Sequence, residues 1–126
     1  MKIEVSNGEI LDKLSIVAIK LNKISDINKK TNLEKEYNIL WDAFSQMMDE
    51  YGVIIGNFYV ELKDINQKLW DVEDSLRKLE SQNNFGEKFV FLARNVYIYN
   101  DIRYDIKRKV NLITNSDIKE EKSYKK

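Results

Sequence analysis

The stretch NFYVELKDINQKLWDVEDSLRKLES, residues 57–81, decides the fold of this chain. Its apolar residues follow one another at steps of four and three, which places them on one face of a helix. The pattern continues for about three heptads, and a run of that length is typical of helices that pack side by side in a supercoil. The residues in the pattern are Phe58, Leu62, Ile65, Leu69, Val72, Leu76 and Leu79.

A second long helix is predicted over residues 86–113, directly after the first. Residues 81–84 between the two form a short polar turn, so the helices should be antiparallel neighbours. The sequence therefore predicts a long helical hairpin. The inward residues of its second helix are predicted to be Phe89, Leu92, Val96, Tyr99, Ile102, Ile106, Val110 and Ile113.

The chain begins with a short segment, residues 2–5, that is predicted to be extended. Ser6 and Glu9 then have the spacing of a capping box, in which the serine hydroxyl accepts a hydrogen bond from the Glu9 amide. A helix is predicted to follow over residues 7–24, with its apolar residues on a single stripe.

One more helix is predicted between this first helix and the hairpin, starting at residues 31–34 and running to about Tyr51. Thr31 and Glu34 form a second possible capping box, and Gly52 suits the end of the helix because glycine enters the left-handed region freely. Residues 53–56 are interpreted as an apolar connector. The predicted fold is an all-α antiparallel bundle of about four helices, built on the hairpin.

The length of 126 residues indicates a single helical domain, residues 1–126. Residues 115–126 lack an apolar stripe, and we expect them to form either a flexible tail or a tail that docks. No apolar run reaches the roughly 20 residues that a membrane span needs, so no membrane span is expected. Residues 1–5 do not resemble a secretory signal, and a cytoplasmic location is expected.

The composition excludes several classes of function. The chain has no cysteine and no histidine, which removes thiolate chemistry, the commonest general base and the usual zinc ligands. Its 21 basic and 21 acidic residues cancel, so no overall field attracts nucleic acid. Tyrosines alternate with arginines in residues 94–108, but Asp101 and Asp105 neutralise that patch. No nucleic-acid partner is expected.

Polar and aromatic side chains flank the apolar faces of both hairpin helices. The antiparallel register places Trp70 near Asn100, and Asn66 near Arg103. Arginine would bind a phosphate or carboxylate with two parallel bonds, and tryptophan would stack on a ring, so a small anionic or sugar-like ligand is predicted. The predicted ligand groove consists of Lys13, Asn66, Trp70, Glu73, Arg77, Arg94, Asn100, Arg103 and Lys107.

A purely structural interpretation explains the same residues. Glu73 and Arg77 have the spacing of a surface ion pair, which is worth a few tenths of a kcal/mol, about 0.2–0.5. Asn100 and Arg103 would then fix the register of the hairpin, and Trp70 would lie at the edge of the core. This interpretation requires that these side chains be sealed against one another, with no cavity beside them.

A third interpretation is a Mg²⁺-dependent hydrolase of a nucleotide or nucleotide sugar. Glu9 and Asp12 lie one turn apart on the first helix, and Asp71 and Asp74 have the same spacing later. Carboxylates on facing helices hold Mg²⁺ in bundle-type hydrolases. However, 21 acidic residues on helices produce such pairs by chance, so no catalytic residue and no cofactor is assigned.

Several segments of the chain together form a recognisable signature. They are Ser6-Asn7-Gly8-Glu9-Ile10-Leu11-Asp12-Lys13-Leu14, Leu69-Trp70-Asp71-Val72-Glu73-Asp74, Leu92-Ala93-Arg94-Asn95-Val96-Tyr97, Asn100-Asp101-Ile102-Arg103 and Glu120-Glu121-Lys122-Ser123-Tyr124. In these segments the chain resembles a family of small bacterial proteins with a domain of unknown function. The resemblance implies no activity, cofactor or catalytic residue, although it implies a link to surface-polysaccharide or nucleotide-sugar metabolism. We therefore expect a helical binding or interaction module, with a homodimer or another protein as partner, and lean against an enzyme.

Overall fold

A computed structural model describes residues 1–116 of the chain and confirms the predicted all-α bundle. The predicted docking or flexibility of the tail beyond Ser116, including residues 120–124, lies outside the described residues. α3 and α4 pack against each other more extensively than any other pair, as expected for the hairpin, and α1 packs against all three other helices. The helices are α1 (Asn7–Lys23), α2 (Ile27–Tyr51), α3 (Ile54–Ser81) and α4 (Glu87–Ile113).

None of the helices within residues 1–116 has the length and apolar character that crossing a bilayer requires.

The predicted start of α1 is confirmed, whereas the predicted start of α2 is wrong. The Ser6 hydroxyl accepts a hydrogen bond of 3.1 Å from the Glu9 amide. α2 begins five residues earlier than predicted, because Asp26 rather than Thr31 is its N-cap and accepts from the Lys29 amide at 3.0 Å. Thr31 lies inside the helix, where its hydroxyl donates to the Ile27 carbonyl. Asp is a strong N-cap residue, so it starts the helix before the second predicted capping box is reached.

The end of α2 follows the prediction, but the apolar connector after it is mostly helical. Gly52 adopts a φ of 90°, and its amide donates to the Met48 carbonyl at 2.8 Å. This single glycine turns the chain, so α3 starts at Ile54 rather than at Asn57. The early start buries Ile55 completely in the core between α1, α2 and α3.

The apolar face of α4 differs from the predicted one at two positions. Ile102 and Ile113 were predicted to point inward but are 42% and 43% exposed. The inward stripe instead runs from Tyr99 through Arg103 to Ile106 and Val110. An arginine occupies an inward position here because it meets a buried carboxylate on α1, and Ile102 is rotated outward as a result.

α3 and α4 both end with an asparagine in the left-handed region. Asn83 has a φ of 54° and Asn115 has a φ of 50°. In each case the amide of the asparagine and the amide after it close the two bonds of a Schellman motif, which satisfies the last carbonyls of the helix. At the end of α4 the Ser116 amide donates to the Asn111 carbonyl at 2.9 Å. This turn carries Ser116 to the start of α1.

The end of α4 and the start of α1 are held together closely. The Gly8 amide donates to Asn111 Oδ1 at 2.7 Å, and the Asn7 amide donates to the Ser116 hydroxyl at 3.2 Å. A Cβ atom at Gly8 would lie only 2.5 Å from the Lys107 carbonyl oxygen, so the two backbones meet at this glycine. Because residues 8 and 107 are in contact, Asp12 and Arg103 lie opposite each other one turn further along.

Candidate functional site

The site is organised around Asp12, a carboxylate on α1 with 0% exposure. Arg103 of α4 donates to it twice, through Nε to Oδ1 at 2.8 Å and through Nη2 to Oδ2 in a shorter bond. Asn66 of α3 donates to the same Oδ1 through its amide nitrogen at 2.9 Å. Removing a charged group from water costs a desolvation free energy on the order of several kcal/mol, and pairing with an opposite charge and hydrogen-bond donors offsets that cost. The stability of the buried carboxylate therefore depends on hydrogen bonds from both α3 and α4.

Ser15 completes the network on α1. Its hydroxyl donates to the Asp12 backbone carbonyl at 2.6 Å and accepts from the Asn66 amide nitrogen at 2.8 Å. Among the residues that the structure describes, no buried side-chain nitrogen or oxygen lacks a hydrogen-bond partner. A fully satisfied polar network of this kind rigidifies its surroundings and fixes one arrangement of α1, α3 and α4.

Arg103 is less free than its predicted role in anion binding requires. The Nε–Nη2 edge of its guanidinium, which is one of the edges that bind an anion with two parallel bonds, is occupied by Asp12. The hydrogen bonds to Asp12 raise the pKa of Arg103, against the lowering effect of burial, and the charges of Asp12 and Glu9 add to the rise. The guanidinium is thus permanently charged and already neutralised. Its third nitrogen, Nη1, donates weakly to Asn100 Oδ1 at 3.4 Å.

Beside this network lies an open cavity of about 220 Å³, which we call the Trp70 groove. It brings together five of the nine residues predicted to form a ligand groove: Asn66, Trp70, Glu73, Asn100 and Arg103. Three apolar side chains from α1 and α3 complete its lining: Ile16, Ile19 and Leu69.

Trp70 separates this groove from a second, smaller cavity of about 170 Å³. Glu73 borders both cavities, and the far one is completed by Asp74 and Arg77. Arg77 is therefore a neighbour of the Trp70 groove rather than part of its lining. Asp74 and Arg77 carry opposite charges, so together they add no net charge on that side of the indole.

Three other predicted groove residues lie elsewhere. Lys13 is exposed, with its ammonium group 3.7 Å from a Glu36 carboxylate oxygen. Lys107 forms an ion pair of 2.8 Å with Glu9. Arg94 lines a broad depression on the outer face of α4, formed by that helix alone. All three residues lie on the helices on which they were predicted, but none of their side chains lines the Trp70 groove.

Three of the four carboxylates of the magnesium interpretation have separate partners. Asp12 is paired with Arg103, Glu9 with Lys107, and Asp71 accepts a hydrogen bond from Gln67 at 3.1 Å. Within residues 1–116, no three acidic side chains come together in a way that could hold a metal ion. Each pair lies one turn apart on its helix, as predicted. However, Glu9, Asp12, Asp71 and Asp74 do not come together at one site.

Sequence reasoning missed the importance of the α1 face that carries Asp12. Gly8, Asp12, Ser15 and Ile19 follow one another at steps of four, three and four, and all are buried. Its first three members are small or polar, and small or polar residues on one buried face indicate that another helix approaches closely. The apolar stripe through Leu14 and Val17 is the more obvious pattern on the same helix.

The fold and the site define a class: a helical-bundle protein in which a buried carboxylate–guanidinium pair supports one wall of a small open groove. The chain belongs to the family of unknown function DUF6165, which matches it over residues 1–126. This confirms the predicted membership in a family that carries no assigned activity. Neither the curated proteins nor the solved structures contain a match to the chain.

Proposed function

We propose that this protein is a helical binding module whose Trp70 groove takes a small ligand with a hydroxylated ring, such as a sugar or the sugar of a nucleotide sugar. The observation that supports the proposal most strongly is the open cavity beside the indole of Trp70. Drug-sized ligands occupy cavities of about 300–1,000 Å³. A cavity of about 220 Å³ suits a smaller ligand, of the size of a single ring.

The asparagines of the groove offer one acceptor and one donor. Asn66 uses its amide nitrogen for Asp12 and Ser15, which leaves its Oδ1 to accept a further bond. Asn100 uses its Oδ1 for Arg103, which leaves its amide nitrogen to donate. A hydroxyl group both donates and accepts, so neighbouring ring hydroxyls satisfy both asparagines. Trp70 adds an apolar face on which a ring stacks.

The purely structural interpretation is less well supported. It required that Trp70, Asn100 and Arg103 be sealed against one another, and a cavity lies beside all three. The hydrolase interpretation required a shared metal site, and three of its four carboxylates have separate partners. Ligand binding requires only that Trp70, Asn100 and Arg103 border an open cavity, which is the arrangement observed.

A thermal-shift screen with monosaccharides, nucleotides, nucleotide sugars and divalent ions tests the proposal. A ligand at 100 times its Kd adds about 2.7 kcal/mol to the free energy of unfolding, which is readily visible. Trp70→Ala should abolish the shift. Trp41→Ala is the matched control, because Trp41 stacks on Tyr37 of α2 and lies outside the groove. The proposal fails if no compound stabilises the protein or if Trp70→Ala keeps the full shift.

We also propose that the protein forms a homodimer through the outer face of α4. Phe91, Ile98, Ile102 and Leu112 are exposed there, Phe91 by 64%, at positions spaced like a coiled-coil seam. Asp105 lies in the same seam. A parallel pair would place Asp105 against its own copy, whereas an antiparallel pair places it away from that copy. The antiparallel arrangement also packs Ile98 against Ile102 of the second copy.

Sedimentation equilibrium tests the dimer directly. The full chain should sediment at twice its mass of 15.0 kDa, and Ile98→Lys should shift it to the monomer. Ile39→Lys, which changes an isoleucine exposed on α2, should leave the dimer intact. A monomer at every accessible concentration would refute this arrangement.

In this proposal the ligand comes from nucleotide-sugar or surface-polysaccharide metabolism in a bacterial cytoplasm, as the family resemblance implied. The nucleotide sugars in the screen test that link, because the proposal predicts that the sugar ring is required for stabilisation. A shift produced equally by the nucleotide without its sugar would contradict it.

A further inference from the structure

The charges around the Trp70 groove limit which rings it accepts. Arg103 would attract an anion if it were free, but its charge is cancelled by Asp12, which lies in direct contact with it. Glu73 borders the groove, is exposed, and forms no ion pair among the described residues. The charge that remains uncompensated at the groove is therefore a negative one.

The bonds of Arg103 also reduce what it offers an anion. Its Nε–Nη2 edge holds Asp12. Giving that edge to a ligand would leave a carboxylate with 0% exposure bound only by neutral partners, which is costly in a protein interior. The N–H groups that remain lie toward Nη1, which already donates to Asn100 Oδ1 at 3.4 Å. They belong to a guanidinium whose charge Asp12 neutralises, so they offer hydrogen bonds without a net attractive charge.

Resting on the proposed function, we infer that the Trp70 groove selects a hydroxylated ring that is neutral or carries an ammonium group, and discriminates against rings that carry a carboxylate or phosphate. An ammonium group gains an ion pair with Glu73 and a contact with the face of Trp70. A nucleotide sugar binds through its sugar, with the phosphates outside the groove.

The test uses three monosaccharides that share one ring and differ in charge: glucosamine, glucose and glucuronate. They are titrated into the full chain by calorimetry at about pH 6, where an amine is protonated. An exposed ion pair is worth about 0.2–1 kcal/mol, so glucosamine should bind roughly 1.4- to fivefold more tightly than glucose. Glucuronate should bind more weakly than glucose by a similar factor.

Two variants of α3 test whether Glu73 is the source of the preference for glucosamine over glucose. Glu73→Gln should remove the advantage of glucosamine over glucose. Glu61→Gln, which changes an exposed glutamate on the same helix outside the groove, should preserve it. Glucuronate binding as tightly as glucose, or three equal affinities, overturns the inference while the proposed function stands. If none of the three sugars binds, both the inference and the sugar-binding function are contradicted.

Discussion

Replacing Arg103 with methionine should destabilise the protein severely. Methionine keeps most of the length of the side chain but removes both bonds to Asp12, of which the Nε bond measures 2.8 Å. The carboxylate has 0% exposure and would keep only the bond from Asn66, at 2.9 Å. It would therefore be a buried charge without a counter-charge.

Breaking a buried ion pair by removing one partner costs about 3–5 kcal/mol. Domains are stable by about 5–15 kcal/mol, so the variant should lose roughly a fifth or more of its free energy of unfolding. At roughly 4 °C for each kcal/mol in a domain of this size, the melting temperature should fall by about 12–20 °C.

Urea denaturation followed by circular dichroism measures this loss. Arg94→Met is the matched control, because Arg94 is an exposed arginine on the same helix, and its loss should stay within about 0.5 kcal/mol. Adding Asp12→Asn to Arg103→Met removes both charges and should restore at least about 1 kcal/mol. A loss below about 1 kcal/mol for Arg103→Met, or no recovery in the double variant, would refute the role of this pair.

Other substitutions test the local structure that positions the site. Gly8→Ala should cost about 1–3 kcal/mol, because its Cβ would lie 2.5 Å from the Lys107 carbonyl oxygen. Gly56→Ala has room, with its nearest neighbour at 3.5 Å, and thermal unfolding should show it at or above the parent stability. Ser6→Ala removes the cap of α1 and should cost about 1 kcal/mol in urea denaturation; an unchanged midpoint would contradict this. Asn83→Ala forces alanine to a φ of 54° and should cost about 1–2 kcal/mol, whereas Asn83→Gly should not.

The helices could be predicted from the sequence because their apolar spacing is local information. The long stripe of α3 fixed one face, and the short turn at residues 81–84 fixed the antiparallel partner. That register was enough to bring Trp70 and Asn66 of one helix to Asn100 and Arg103 of the other, as the lining of the groove shows.

The contribution of α1 could not be predicted in the same way. No short turn connects α1 to α4, so the register between them depends on the backbone contact at Gly8 and on the bonds from Asn111 and Ser116. Without that register, Asp12 was assigned to a metal set rather than to Arg103. The burial of a charge is decided by its partner, and the partner lies 91 residues away along the chain.

Both α2 and α3 start earlier than predicted, for a simpler reason. In each case a feature that allows a helix to start occurs a few residues before the predicted start. Asp26 capped α2 ahead of Thr31, and the turn at Gly52 was complete within one residue, so the apolar segment after it joined α3.

The claim that the Trp70 groove binds a hydroxylated ring is tested most directly by the indole N–H resonances of the protein. The chain has two tryptophans, and Trp41 on α2 serves as an internal reference. During a titration with glucosamine, followed by nitrogen–proton correlation spectra, the Trp70 indole signal should shift and saturate while that of Trp41 stays in place. If both signals remain unmoved, or move together, the groove does not bind this ring.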